Sequence, residues 1–574
     1  MKNREIAEIF ETIADLLEIK GEAVYRVIAY RRAGEALRSL GRDVNIVWEE
    51  GGLEAIPGVG KAIAAKIDEL LRTDHLEFYE KLTADVPPGL ADVLKVGGVG
   101  PKKAALFWKE LDITTIDALE QAAGKGELRQ LSGIGERSEA RILENIIAQK
   151  GQQTGRVLLG EAWTTAQQLL SRLREIEGVR RVEAAGSLRR MRETIGDLDL
   201  LVSAQDIPLV IQSFVTFPEV DRVLGQGEIK ASVELIDGLR VQLWVHPPER
   251  FGSALQYATG SQRHNVRLRE VAQKAGLSLS EHGYNDQEGG MIFCPEEEEV
   301  YSVLGLPWIP PTLREDRGEI KAAQDGKLPK LVQLEDLKGD LHTHSDWSDG
   351  VSSILEMAEA AIELGMAYLV ISDHSRSLGI AGGLSIEDLR AQRAEIKRVQ
   401  KEIGEKLTLL HGSEVEILAN GELDYPDEVL QELDIVIASL HTSLRQPREQ
   451  VTERVLRTIK NPHVDIIAHL TGRLIGKRDP ADLDVDAIFQ AATEHDVVLE
   501  INSNPERLDL KDTHARRALE TCCRLAINTD AHQPDNFAFR RFGVGTAQRA
   551  WAEAPSIVNT WPLDRLQTWL ETRG

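Results

Sequence analysis

The sequence predicts a multidomain chain of three fold classes: an all-α segment over residues 1–150, an α+β segment to about residue 315, and a C-terminal α/β barrel or open sheet. Three observations carry this expectation. A glycine-hairpin unit recurs three times among helical text near the N-terminus. Short alternating strands begin only after Arg156. Beyond residue 336, apolar strand-like runs alternate with amphipathic helices.

At 574 residues the chain is too long for one hydrophobic core. Its composition, 42% hydrophobic and 28% charged, is that of a globular protein. No apolar run approaches the ~20 residues of a membrane span. The N-terminus, MKNREIAEIFETIADLL, is charged and helically periodic, unlike a signal peptide, so a cytoplasmic location is expected. Cys294, Cys522 and Cys523 lack metal spacing and read as reduced thiols. The formal charge of −25 divides into −5 for residues 1–150, −6 for 151–315 and −14 for 316–574. No basic segment announces a nucleic-acid partner, although metal sites also concentrate carboxylates.

In the first segment the repeated unit is IPGVGKAIAAKI (56–67), VGGVGPKKAALFW (96–108) and LSGIGERSEARIL (131–143). Each places an apolar residue and a glycine hairpin before a helix, an internal repeat of one supersecondary unit. From Arg156 a helix over 157–177 leads into VEAAGSL, DLDLLVSA, SVELIDG and LRVQLWVHP, with a hairpin turn at Asp237-Gly238. The proline- and charge-rich run between Pro307 and Pro329 reads as a linker, a semi-rigid spacer.

The C-terminal segment carries the strongest chemical signal. Ten of fourteen histidines follow residue 336. His374 follows AYLVISD, Glu414 follows LLHGS, His441 follows IVIASL, His469 follows DIIA, and Asp530 and His532 follow LAINT. GDLHTHSDWSDG adds His342, His344 and Asp349. Strand C-termini converge on one mouth in α/β barrels, so these nine side chains form one cluster. They are too many for one ion and suit two or three, with Glu414 able to bridge. Such a cluster activates water and polarises a phosphoryl oxygen, the chemistry of phosphate-ester hydrolysis. His411, His463, His495 and His514 fall outside the pattern and are read as structural.

These residues make residues 336–574 resemble the PHP (polymerase and histidinol phosphatase) family. The resemblance implies a distorted (β/α)7 barrel and Mn or Zn as the ions. It places His342, His344, Glu414 and Asp530 on one ion, Glu414, His441 and His469 on a second, and Asp349, His374 and His532 on a third. Arg473, Arg478 and Arg507 are candidates for gripping substrate phosphate.

A second signature is GSLRRMRETIGDLDLL (186–201), a Gly-Ser turn followed by Asp-x-Asp. Asp197 and Asp199 are two apart, share a face and can hold magnesium for in-line phosphoryl transfer. Coupled to YATGSQRHNVRLRE (257–270), the signature resembles a family X (Pol β-like) DNA polymerase. With the PHP segment it resembles the bacterial form over essentially the whole chain. By that resemblance, residues 1–80 form a helix–hairpin–helix DNA-end-binding domain and 81–152 a second helix–hairpin–helix domain. Residues 153–315 form the nucleotidyltransferase palm and thumb, 316–335 the linker and 336–574 the PHP domain. Gly58, Gly60, Gly98, Gly100, Gly133 and Gly135 would meet DNA phosphates. Arg156, Gly186, Ser187 and Arg190 would hold a nucleoside triphosphate with Mg or Mn. Tyr257, Gly260, Asn265 and Arg269 would line the nucleotide and template pocket. Lys66 occupies the position of a lyase Schiff-base lysine. The partner would be gapped, nicked or abasic DNA, and the protein a nucleoid-associated monomer.

Two departures stand out. The family's third catalytic aspartate, fifteen residues before Tyr257, is Gln242, and the aromatic residue expected beside Tyr257 is Ala258. A glutamine supplies neither the anion beneath the primer 3′-OH nor a base for its proton. The sequence therefore predicts a DNA-repair nuclease whose polymerase half is weakened. Against it stand an active gap-filling polymerase, a non-catalytic DNA-binding module fused to a phosphatase, and a small-molecule phosphatase.

Overall fold

A computed structural model describes residues 3–38, 40, 43–56, 58–94, 96, 98–151 and 156–573. The chain divides into two compact units, Met1–Gly155 and Arg156–Gly574.

The first unit is all-α among its described residues, from Asn3–Lys20 to Glu136–Gly151, around one core. The glycine repeat has a structural counterpart. Gly58, Gly98 and Gly133 all take left-handed backbone, with φ of +88°, +86° and +81°. A Cβ is disfavoured there, which accounts for glycine at the first position of each hairpin. Val59, Val99 and Ile134, the residues between paired glycines, are buried and anchor each hairpin. Gly60 and Gly100 then stand at the N-caps of the helices Lys61–Thr73 and Pro101–Leu111, where no side chain bonds the first turn.

The second unit opens with the helix Leu159–Arg174 packed on a five-stranded sheet. That sheet runs in the order Val179–Ala184, Leu198–Ala204, Arg240–His246, Lys230–Leu235, Val220–Gln226. The strands Leu198–Ala204 and Arg240–His246 are parallel neighbours, pairing Asp199 with Gln242. The helices Phe251–Thr259 and Gln262–Lys274 and a three-stranded sheet complete the palm and thumb. A buried ion network closes them: Glu297 accepts from Arg189, from Arg314 Nη1 (2.6 Å) and from Trp308 Nε1 (2.8 Å).

The segment read as a linker is packed. It forms the helix Glu319–Gln324, and Glu319 is buried, 2.7 Å from His264 of the thumb. Arg317 pairs with Asp512 beyond it at 3.0 Å. Long-range ionic partners override the local proline and charge signal, so the palm, thumb and barrel form one unit.

The C-terminal domain is a seven-stranded parallel sheet in simple sequential order, from Gly339–Asp340 to Leu525–Asn528. Its strands are buried on both faces, which is why they read as continuous apolar runs. The first and last strands meet beyond their ends, where Asp530 N donates to His342 O (3.0 Å) and His344 N to Ala531 O (2.8 Å). Residues of the predicted metal cluster thus close the barrel at its C-terminal mouth.

Candidate metal centre and nucleotide pocket

All nine predicted ligands lie at that mouth. Glu414 sits within the strand Thr408–Glu416 rather than after it; the other eight follow strand ends. His469 and Asp530 hold positive φ, +25° and +53°, a strain that proteins retain at functional sites.

His342 Nε2, His344 Nε2, Glu414 Oε2 and Asp530 Oδ1 lie 3.1 to 3.7 Å apart in the five measured pairs. Ligands on a tetrahedral ion with bonds of about 2.1 Å would be separated by about 3.4 Å, a spacing that His342, His344 and Asp530 match as one candidate group, with Glu414 Oε2 beside both imidazoles. Glu414 turns its other oxygen, Oε1, to His469 Nε2 (2.8 Å) and His441 Nε2 (3.4 Å); the second candidate group that the structure brings together is His374, Glu414 and His441, with His374 in place of the expected His469. Asp349 meets His374 Nε2 (3.4 Å) and His532 Nε2 (3.3 Å), giving a third. The structure also brings His344 Nδ1 within 3.7 Å of Asp349, so His344 reaches both the first and third groups. His374 likewise faces Glu414 through Nδ1, at 2.9 Å.

The donor set is unsatisfied by the protein alone. His344 Nδ1, His374 Nδ1 and Glu414 Oε2 are buried without a hydrogen-bond partner, and the His374 and Glu414 atoms face each other. Lone pairs converging in this way fit divalent cations. The electrostatics agree. Burial works against charge on His374, but Glu414 and Asp349 outweigh it and raise its pKa to about 10. His532 is raised to about 9, with burial outweighed by Asp349 and Asp530. The carboxylates that stabilise these imidazolium charges would stabilise metal cations in the same place, and protons and metal compete for the imidazole nitrogens.

A supporting layer escaped the sequence analysis. Glu500, fully buried, accepts from His342 Nδ1 (2.8 Å), His469 N (2.8 Å) and Asn528 Nδ2 (3.0 Å). Glu416 accepts from His441 Nδ1 (2.9 Å) and Thr442. Each carboxylate fixes a tautomer that leaves Nε2 for an ion. Among the three arginines, Arg507 faces the cluster: its Nε lies 3.7 Å from Asp530 Oδ2, and its Nη1 is buried without a partner. Arg473 pairs with Glu193 of the palm, and Arg478 donates to Gly472 O. His411 is buried against Gln392, away from the nine.

In the palm, Asp197 and Asp199 lie at the start of the strand Leu198–Ala204, with Gln242 beside them. Gln242 Nε2 donates to Asp197 Oδ2 at 2.6 Å. Burial, then Asp197, pushes the Asp199 carboxyl up to about 7. The Gly-Ser turn abuts this pair: Gly186 has φ +58°, and a Cβ there would meet Asp199 Oδ2 at 2.1 Å. Ser187 follows on the short helix Gly186–Arg189. Arg156 donates from Nε to Thr194 Oγ1 at 2.9 Å. Arg190 is engaged by Glu315 (3.1 Å) and the Thr259 carbonyl next to Gly260, so a triphosphate would have to draw it from these partners. Tyr257 is exposed, and the Asn265 amide spans Gln256 (2.8 Å) and the Tyr257 carbonyl (2.9 Å). Arg269 reaches solvent beside it. In the first unit, Lys66 holds its ammonium 5.1 Å over the ring of Phe78, which stacks on Tyr30.

Comparison with known proteins agrees with this architecture. The chain matches the helix-hairpin-helix domain over residues 1–76, the SAM-like helix-hairpin-helix tandem over 90–146, the DNA polymerase beta thumb over 254–315 and the PHP domain over 340–504. It is 37% identical to the DNA polymerase/3′-5′ exonuclease PolX of Bacillus subtilis, over 100% of both chains. It is 27% identical to DNA polymerase lambda of Rattus norvegicus, over 54% of this chain and 56% of that one. A probable phosphatase of Caldanaerobacter subterraneus is 32% identical over 34% of this chain and 75% of its own. No helix among the described residues is long and apolar enough to cross a membrane. Palm, thumb, hairpin helices and metal-binding barrel thus all have their counterparts in one full-length relative, and the chain belongs to the family X DNA polymerases that carry a C-terminal metal-dependent phosphoesterase domain of PHP type.

Proposed function

We propose that the barrel hydrolyses DNA phosphodiesters at 3′ ends or abasic sites, while the hairpin helices and palm grip gapped or nicked duplex as a monomer. The observation that carries this reading is the convergence of eight potential ligands in three overlapping groups, with His469 joined to them at Glu414 and buried polar atoms left unpartnered, in a chain with DNA-binding helix-hairpin-helix and thumb domains. Two or three Mn or Zn ions held by the three groups would act as Lewis acids on the phosphoryl oxygens and lower the pKa of water.

The chain's own residues do the rest. Glu500 and Glu416 hold His342 and His441 in the ligating tautomer. Arg507 offers an unpaired N–H to the scissile phosphate, where a charge-assisted bond strengthens as charge develops. In the palm, Asp197 and Asp199 would take Mg or Mn with a deoxynucleoside triphosphate, and Gln242 leaves synthesis weak.

The test is degradation of gapped duplex carrying a labelled 3′ end, with Mn²⁺. We expect shortening from the 3′ end that chelation abolishes and that His342→Ala, His344→Ala reduces at least about 10²-fold. Undiminished degradation by that double variant would refute the reading.

A further inference from the structure

Residues 503–510 leave the mouth end of the strand Val498–Asn502 and carry Arg507 toward the metal cluster. This loop belongs to the barrel in sequence but to the palm in its surroundings. Leu508 is 1% exposed and lies in the palm's hydrophobic cluster with Leu159 and Ile195. Pro505 presses on the helix Leu159–Arg174 at Gly160, so closely that a Cβ there would stand 2.7 Å from its Cγ. Between these contacts Arg473 ties the backbone, donating from Nε to Arg507 O (2.8 Å) and from Nη2 to Leu508 O (2.6 Å). Arg473 is itself held by Glu193 Oε2 at 2.8 Å. Glu193 is a palm residue, four positions before Asp197.

We propose that the palm builds one wall of the hydrolytic site: Glu193 and Gly160 are positioning residues for Arg507, the group that grips the scissile phosphate. The inference rests on the phosphodiesterase reading above and adds its dependence on the palm. A guanidinium binds phosphate through a rigid fork, so its value depends on where the backbone holds it. Displacements of about 1 Å at a reacting group cost on the order of 10²-fold in rate. Loops are the mobile parts of barrels, and this one has three palm contacts around a single functional side chain.

The test uses the full-length protein and the p-nitrophenyl ester of thymidine 5′-monophosphate, a phosphodiester too small to need the DNA-binding surfaces. With Mn²⁺, Arg507→Ala should lower kcat by about 10²-fold. Glu193→Ala should lower it by about tenfold with KM within about twofold, and Glu193→Gln, which keeps an acceptor for Arg473, should remain within about twofold of the parent. Gly160→Ala favours its helix yet displaces Pro505, so it should fall in the same direction. The Glu193→Ala, Arg507→Ala double variant should be no slower than Arg507→Ala alone, since one residue acts through the other. A second readout needs no metal: backbone amides of residues 503–510 should exchange faster in Glu193→Ala than in the parent. Parental kcat and parental exchange in Glu193→Ala would overturn the proposal, as would multiplicative losses in the double variant. If the parent itself cleaves neither this ester nor DNA, the phosphodiesterase reading fails, and unchanged exchange in Glu193→Ala would still decide separately against the palm contact.

Discussion

The amide nitrogen of Gln242 lies 2.6 Å from Oδ2 of Asp197 and occupies the place beside the two aspartates where a third carboxylate would stand. A neutral donor there does two things. It engages an oxygen that would otherwise face a cation, and it offers no base to a primer hydroxyl. General-base catalysis is worth about 10² to 10⁴-fold, so gap filling by the natural chain should be at least about 10²-fold slower than by Gln242→Asp. The comparison is made by primer extension in a His342→Ala, His344→Ala background, where trimming cannot hide synthesis. Extension by the natural chain at the rate of Gln242→Asp would show that two aspartates suffice.

Glu500 is the buried support of the first metal group, bonded to His342 and to the backbone of His469. Glu500→Gln keeps the shape but loses the anion that makes His342 a strong ligand. Partners of this kind are worth about 10 to 100-fold in metal affinity. Titrating metal out of the variant with a chelator, and counting ions retained per chain, should show release at correspondingly weaker chelation. Retention equal to the parent would assign Glu500 a purely structural part.

Which features the sequence displayed, and which it did not, follows from the range of the forces involved. The cluster of nine side chains was legible for two reasons: Glu414, His374, His441, His469, Asp530 and His532 lie in or just beyond apolar strand runs whose C-termini converge, and His342, His344 and Asp349 stand together in the motif GDLHTHSDWSDG. Glu500 was not, because it sits inside the run VVLEIN and only its partner His342, 158 residues away, explains a buried acid there. The packed segment 316–335 was misread for the same reason: its proline and charge content is local, whereas its partners His264 and Asp512 are remote. Gln242 was found from its distance to Tyr257, but its bond to Asp197 could be seen only in the structure. Arg190, expected at a triphosphate, is held by Glu315 through contacts that no motif encodes.

His411 makes the acid limit of the barrel measurable. It is buried beside Gln392, and burial, with Arg393 and Lys397, pushes its pKa from 6.5 down to about 4. The folded state binds this proton less readily than the unfolded chain. The stabilisation from keeping His411 neutral is therefore complete above pH 6.5 and is lost as pH falls toward 4. The shift corresponds to about 3 kcal/mol. His411→Gln, which cannot titrate, should lose correspondingly less stability between pH 7 and 4 in chemical denaturation. Parallel pH profiles for the two proteins would show that His411 takes no part in acid unfolding.

Arg314 and Glu297 test the closure of the thumb on the palm. Arg314 is fully buried and Glu297 nearly so, and Glu297 also takes both Arg189 donors and the Trp308 indole. Glu297→Ala would strand Arg314 without its counter-charge, and breaking one side of such a pair costs about 3–5 kcal/mol. Removing both charges is less damaging, because no uncompensated ion remains inside. Glu297→Gln, Arg314→Gln should therefore melt above Glu297→Ala, even though it carries one more substitution. Arg189 reaches the surface, with 19% of its side chain exposed, and tolerates the loss through hydration. A double variant that melts below Glu297→Ala would mean that Arg314 is held by its bond to the Ile309 carbonyl and by Tyr301 and Trp308, with the carboxylate secondary.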